Sequence, residues 1–191
     1  MSERMNDQPQ MYGERIWLRP IELRDALALS QSTGADTDSV DPGAMVPVGE
    51  TAFRAWIQSL DETELVWAIC LKDEQEAIGT ASIRRIDLHH RTAETGMGLL
   101  HADDRGIGLG QEVKHLILDF AFNVMGLHAV NCTIDARNIR SQKSVEKSVY
   151  RLAGSLTANT PLGLGKYADT LVYQLLAADW IALQRENAST E

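Results

Sequence analysis

The residues whose types and spacing best suggest chemistry are Arg105-Gly106-Ile107-Gly108-Leu109-Gly110, a glycine-rich turn between a strand-like run and the strongest helical pattern of the chain. Glycines let backbone approach a ligand closely, and the first-turn amides of a helix present partial positive charge to an anion. The turn reads as a cradle for a pyrophosphate, with an ordinary loop-to-helix turn as the plain alternative. Two other phosphate-binding patterns are absent. A dinucleotide fingerprint needs a further glycine where Gln111 stands. A nucleoside-triphosphate loop needs G-x-x-x-x-G-K followed by Ser or Thr, which this stretch lacks.

A strand and a helix must hold such a cradle, and the flanking sequence supplies both. Behind the turn, Leu109, Val113, Leu116, Ile117, Phe120, Ala121 and Val124 form one apolar stripe of a helix that Gly126 ends. Thr92–Leu100 before it and Leu127–Asp135 after it read as strands, and a strand-helix-strand unit makes those two parallel. Upstream, Leu65–Leu71 and Ala77–Ile83 form a hairpin around the charged turn Lys72–Glu76, and with Thr92–Leu100 an antiparallel meander. Arg15–Pro20 reads as a short strand, Glu22–Ser30 as a helix, and Ser32–Gly49 as a long loop rich in Ser, Thr, Gly, Asp and Pro. Thr51–Leu60 resumes helical spacing, with Phe53, Trp56, Ile57 and Leu60 read as core. Downstream come a helix at Asn138–Lys147, a strand at Tyr150–Leu156, a loop at Asn159–Gly165 and a final strand at Thr170–Leu176.

Composition narrows the class. A chain of 191 residues with 44% hydrophobic content has room for one domain with a substantial core. Residues 1–11 read as a flexible tail, 12–183 as the domain and 184–191 as a frayed end. No window approaches the ~20 apolar residues of a membrane span and no secretory leader is evident, so the expectation is a cytoplasmic protein that does not engage membranes. Cys70 and Cys132 lie in apolar strand-like runs without metal-ligand spacing, so buried thiols are expected and no metal. A net charge of −9 argues against nucleic acid as a partner, suits a cationic substrate, and draws attention to basic residues near the glycine turn.

The turn resembles the acyl-CoA motif of the GNAT superfamily of N-acetyltransferases, Gln/Arg-x-x-Gly-x-Gly/Ala, carried here by Arg105 to Gly110. Further landmarks follow in order: Leu18-Arg19-Pro20 with Asp25-Ala26, Ala93-Glu94-Thr95-Gly96-Met97-Gly98, Asn138-Ile139-Arg140-Ser141 with Glu146-Lys147, and Gly165-Lys166-Tyr167-Ala168-Asp169. Together they resemble the RimJ/RimL-like, ribosomal-protein-alanine type of branch over about residues 12 to 178. The resemblance implies an α/β (α+β) GNAT fold. Its mixed, mostly antiparallel sheet would have six to seven strands, a central parallel pair splayed at the acyl-CoA site, and about four helices.

It also implies roles. Leu99, Leu100 and His101 end the strand whose exposed amides would hold the pantetheine arm and polarise a thioester carbonyl. Arg105, Gly106, Ile107, Gly108, Leu109, Gly110 and Gln111 would seat the pyrophosphate of acetyl-CoA, the co-substrate. Asn138, Ser141 and Lys143 would add cofactor contacts, with helix capping the alternative for Asn138 and Ser141. Arg140, Lys143 and Lys147 share one helix face, read either as a solvated basic face or as a grip on the 3′-phosphate. Glu94 is the implied base, the alternative being that it orients a neighbouring arginine or backbone.

Relatives place a tyrosine seven residues after the asparagine. That position here is Val145, which leaves Ser141 as the candidate acid. The Gly-Phe pair usual after Glu-Lys is replaced by Val149-Tyr150, preceded by Ser148. A β-branched residue tolerates positive φ badly, so either that turn differs from the usual one or the alignment slips there. Tyr150 is expected in the core with its hydroxyl partnered. The reaction implied is direct transfer of an acetyl group to a primary amine, a protein or peptide N-terminal α-amine preferred. The alternatives are a small cationic amine (aminoglycoside or polyamine) and a CoA-binding sensor or scaffold. Monomer and homodimer are both open.

Overall fold

A computed structural model of the chain describes residues 8–32, 47 and 49–188. Most of the loop read between Ser32 and Gly49 lies outside the described residues, as do the first seven residues of the tail. In chain order the elements are β1 (Met11–Tyr12), β2 (Ile16–Pro20), α1 (Ala26–Ser32, entered through a 3-10 turn at Leu23–Asp25), α2 (Glu50–Ser59), β3 (Leu65–Leu71), β4 (Ala77–Asp87), β5 (Thr92–Leu99), α3 (Leu109–Asp119, continued by a π-helical turn at Phe120–Val124), β6 (Ala129–Asp135), α4 (Ile139–Glu146), β7 (Arg151–Gly163), β8 (Lys166–Leu176) and α5 (Ala177–Ala188).

All eight strands form one sheet in the order β1-β2-β3-β4-β5-β6-β8-β7. Every adjacent pair is antiparallel except β5 and β6, which are parallel as the intervening α3 demands. That pairing is short. Thr92, Ala93 and Glu94 face Ala129, Val130 and Asn131, and the pairing then stops. Beyond it β5 stays on β4 as far as Leu99, and β6 stays on β8 as far as Asp135. The sheet therefore opens as a fork between Thr95–Leu99 and Cys132–Asp135, each prong leaving one backbone edge unpaired.

The core follows from the patterns that define the elements. β3 is buried along six of its seven residues, as a strand covered on both faces must be. Leu109, Val113, Ile117, Phe120 and Ala121 of the expected stripe are buried, Leu118 joins them from outside it and Val124 is exposed; Phe120 meets Trp67 edge-to-face with ring centroids 5.6 Å apart. Phe53 of α2, with half-buried Trp56 and Ile57, packs on Ala26 and Leu29 of α1. Both cysteines are free and buried. Among the described residues no helix is long and apolar enough to cross a membrane.

Three elements differ from the sequence reading. The eighth strand is β1, which begins on Met11, the last residue of the stretch read as a tail. It pairs with β2, and the neighbouring Pro9 carbonyl accepts a 2.8 Å bond from Trp67 Nε1. Strand β7 runs on to Gly163 through the stretch read as a loop, pairing Thr160 with Ala168 and Pro161 with Tyr167. It lies at the sheet edge, where a proline's missing N–H costs no ladder bond, and its register shifts absorb the irregularity. The fifth helix, α5, covers Ala177–Ala188 and so enters the stretch read as a frayed end. Its apolar residues do not form one stripe: Trp180 is buried while Ile181 is exposed, and periodicity gives little signal.

Candidate active site

The glycine turn and the fork of β5 and β6 line one cavity of about 670 Å³. Two glycines in the turn have left-handed backbone, Gly106 at φ 80° and Gly108 at φ 95°. A Cβ on Gly106 would meet nothing within 4 Å, so open space lies against the backbone there. Gly108 caps α3, and the first-turn amides that follow, Leu109 and Gly110, have no intrahelical acceptor. The turn is braced from a distant part of the chain. Glu112 Oε1 accepts from the Arg15 amide at 2.8 Å, its Oε2 accepts from Arg15 Nε at 3.2 Å, and Arg15 Nη1 donates to the Ile107 carbonyl at 2.8 Å. Arg105 donates to the Leu99 carbonyl at 2.8 Å, tying the turn to the end of β5.

Most of the residues singled out from sequence meet at this cavity. Glu94, Leu99, Arg105, Gly106, Gly108, Gly110, Gln111, Asn138, Ser141 and Lys143 all line it. Four others do not line it. Leu100 packs toward the α1–α2 cluster, His101 is exposed, Ile107 is exposed and Leu109 is buried in the core. Any part these four play at the cavity passes through their backbone.

Glu94 is the last β5 residue paired with β6, so its position at the crotch of the fork is set by the register. Its Oε1 accepts from Arg85 Nη1 at 2.7 Å, as in the orienting alternative. Asn138 caps α4, its Oδ1 accepting from the Ser141 amide at 3.0 Å, so capping and cavity lining coexist in one residue. Gln111 ties α3 to α4. Its Nε2 donates to the Ser144 carbonyl at 2.9 Å, and its Oε1 accepts from Ser148 Oγ at 2.9 Å.

The C-terminus of α4 resolves the Val149-Tyr150 departure. The Tyr150 amide bonds the Val145 carbonyl and the Val149 amide bonds the Glu146 carbonyl, the pairing of a Schellman motif whose left-handed position is usually glycine. Val149 occupies it at φ 55°. The usual turn is thus retained with a β-branched residue under backbone strain, at a cost on the order of 1–2 kcal/mol. The consequence is the placement of Tyr150. It is buried against the fork, its hydroxyl 2.7 Å from Thr95 Oγ1, and burial pushes the phenol well above its ordinary value.

Charge at the cavity opposes the acidity of the whole chain. Arg84, Arg105, Lys114, Arg140, Lys143 and Lys147 line it against two carboxylates, Glu94 and Asp135. Asp135 is bonded by Arg137 at 2.7 Å, which holds its carboxyl below the usual range. Sequence reasoning missed Lys114. It sits beside the apolar stripe of α3, half-buried on the cavity wall, with Nζ 2.5 Å from Ser144 Oγ. Burial lowers its ammonium to about 8. Thr95 and Tyr150 were also invisible as site residues, because only the fork brings them together.

A family model described as "Acetyltransferase (GNAT) domain" matches residues 15–149. The chain belongs to the GNAT acetyltransferase family. Within it, the Uncharacterized N-acetyltransferase p20 of Bacillus licheniformis is 24% identical over 181 residues, covering 89% of this chain and 97% of that protein. The solved GNAT-family acetyltransferase from Bacillus anthracis is 22% identical with a TM-score of 0.74, covering 89% of this chain and 99% of that one. Spermidine N-acetyltransferase from Vibrio cholerae, solved in complex with CoA and spermine, matches with a TM-score of 0.78 at 16% identity, covering 88% and 99%. At these identities the solved structures establish the GNAT fold. The mixed eight-stranded sheet with its parallel pair is that fold in this chain.

Proposed function

We propose that this GNAT acetyltransferase uses acetyl-CoA to acetylate a primary amine, and that the acceptor is the α-amine of a protein or peptide, as in the RimJ/RimL-like branch. The observation that carries the co-substrate reading is the basic cavity of an acidic chain. Six cationic side chains gather between an open glycine turn and a fork of unpaired strand edges, which fits a long, polyanionic acyl carrier.

Acetyl-CoA, when bound, supplies the acetyl group as a thioester. The amides of Gly106 to Gly110 offer donors to a pyrophosphate, with Arg105 adding charge. Arg140, Lys143 and Lys147 stand on the cavity side of α4 for a further phosphate. The unpaired edge of β5 from Thr95 to Leu99 offers donors to the pantetheine arm and, next to Glu94, to an acyl carbonyl as negative charge develops on it. Glu94, with one oxygen oriented by Arg85, keeps Oε2 to accept a proton from the incoming amine. Ser141, half-buried in the first turn of α4, is placed to pass a proton to the leaving sulfur. Tyr150 serves as a hydrogen-bonding post against Thr95, because burial makes its phenol a poor proton donor.

The same charge balance supports an α-amine over a polyamine. Both carboxylates on the wall are already tied to arginines, so the cavity offers no acidic cage for several positive charges. An α-amine also needs less deprotonation, being roughly 10% neutral at pH 7 against about 0.04% for a lysine side chain.

The test is release of free CoA thiol with a panel of peptides bearing free N-termini, the same peptides N-terminally blocked but containing lysine, and spermidine. Turnover that disappears on blocking the N-terminus is the expected result. Turnover with spermidine alone would replace the acceptor. Silence across the panel together with calorimetric binding of acetyl-CoA would turn the reading to a CoA-binding sensor.

A further inference from the structure

Lys114 is the one lysine on the inner wall contributed by α3, and its surroundings are unlike those of a surface lysine. The helix carries Val113, Ile117 and Leu118 along the same wall, so the ammonium leaves an apolar face and enters the cavity. Its recorded hydrogen bond is to Ser144 Oγ across the α3–α4 gap, and among the described residues no carboxylate lies at ion-pair distance. Cys132, the first β6 residue beyond the last pair with β5, lines the same cavity as Lys114. The amine therefore opens from α3 into a cavity walled by both prongs of the fork, and the glycine turn that begins the same helix lines that cavity too. An elongated acyl carrier seated with its phosphates on the turn would present its acyl end at the fork.

We propose that Lys114 is a self-acetylation site, its amine taking the acetyl group from acetyl-CoA bound in the same cavity. This rests on the acetyl-CoA reading above. The nitrogen lone pair attacks the acetyl carbonyl carbon, the N–C bond forms and the C–S bond breaks. The sulfur leaves with the bonding pair and takes up the proton lost by nitrogen. The products are one amide and one free thiol, with no other reactant. Acetylation also removes a cation from an apolar wall and with it the charged donor to Ser144, whose hydroxyl still accepts from Gln111 Nε2 at 3.1 Å. The modified side chain would occupy part of the cavity, so the reaction would limit access to the fork by a later acyl carrier.

Geometry places the amine in the cavity that the fork walls, and its ionisation makes it competent there. With its ammonium lowered to about 8, Lys114 is neutral in roughly 10% of molecules at pH 7. An ordinary lysine at 10.5 is neutral in about 0.03%, so the advantage over an exposed lysine is about 300-fold before any gain from proximity. Other nucleophiles stand near the fork. Tyr150 is engaged with Thr95 and its phenol is raised by burial, while Cys132, which also lines the cavity, is the competing nucleophile that the experiment must separate from Lys114.

The experiment incubates the full chain with acetyl-CoA and no acceptor, then maps acetylated peptides by mass spectrometry over time, with exposed Lys72 and Lys166 as internal references. A parallel series adds excess free CoA, and calorimetry measures acetyl-CoA binding to the same sample. The expected result is one acetyl group on Lys114, gained at least about 100-fold faster than on Lys72 or Lys166. Free CoA should suppress it, and Lys114→Arg should lack it. Binding of acetyl-CoA with Lys114 unmodified, or with the label on Cys132 instead, overturns the inference and leaves the acetyltransferase reading standing. Labelling of Lys114 that free CoA does not suppress also overturns it, because the acetyl would then come from solution. Absence of binding overturns both.

Discussion

Replacing Lys114 with Met tests whether the cavity wall holds a cation at a cost in stability. Methionine keeps the length and apolar stem of the lysine and removes the charge, and Ser144 Oγ retains Gln111 Nε2. The sign follows from linkage. A lysine whose folded-state value falls from 10.5 to about 8 is disfavoured as an ammonium by folding, so the penalty is fully present below the folded value and vanishes above the unfolded one. The unfolded chain binds more protons between those limits, and stability rises with pH there. Integration gives a penalty of about 3 kcal/mol at pH 7, of which about 1 kcal/mol remains at pH 10. Urea unfolding of both proteins without acetyl-CoA at the two pH values, at matched ionic strength, measures the difference directly. Lys114→Met should gain stability relative to the parent at pH 7, less any contribution lost with the Ser144 bond, and roughly 2.5 kcal/mol of that gain should be gone at pH 10. Every other titrating group is common to both proteins and cancels. A stability difference that is the same at both pH values would refute the argument, since the amine would then titrate alike in folded and unfolded chains.

Gly106→Ala should lower stability by only about 1 kcal/mol, the cost of a left-handed φ with no clash, yet weaken acetyl-CoA binding by about tenfold or more in calorimetry. Unchanged affinity would remove the turn from the site. Glu94→Gln should reduce turnover by about 10²- to 10⁴-fold while leaving acetyl-CoA affinity alone, and full activity would assign Glu94 to holding Arg85. Arg19→Met should destabilise the fold by about 3–5 kcal/mol, because it strands the buried Asp25 carboxylate that Arg19 holds at 2.6 and 2.8 Å. Adding Asp25→Leu should recover much of that loss in thermal unfolding, and no recovery would mean the pair matters for packing rather than charge.

Local chemistry decided much of what the sequence shows. The periodicities of β3 and α3, the glycine that stops the helix at Gly126, and a turn built of Gly106, Gly108 and Gly110 all depend on neighbours within a few residues, so they can be read without the fold. The parallel relation of β5 and β6 follows as well, since a helix must carry the chain back across the sheet. Alternation of side chains says nothing about where two strands part company. That Glu94 stands at the crotch of a fork is a consequence of a three-residue register. The brace from Arg15 to Glu112 and Ile107 joins residues more than ninety positions apart. The Schellman turn at Val149, which delivers Tyr150 to Thr95, goes against local preference and is held by tertiary packing. Lys114 shows the same division. Its sequence neighbours mark it as an ordinary polar residue beside an apolar stripe, and only the approach of α4 and the opening of the sheet turn it into a half-buried amine facing the cavity.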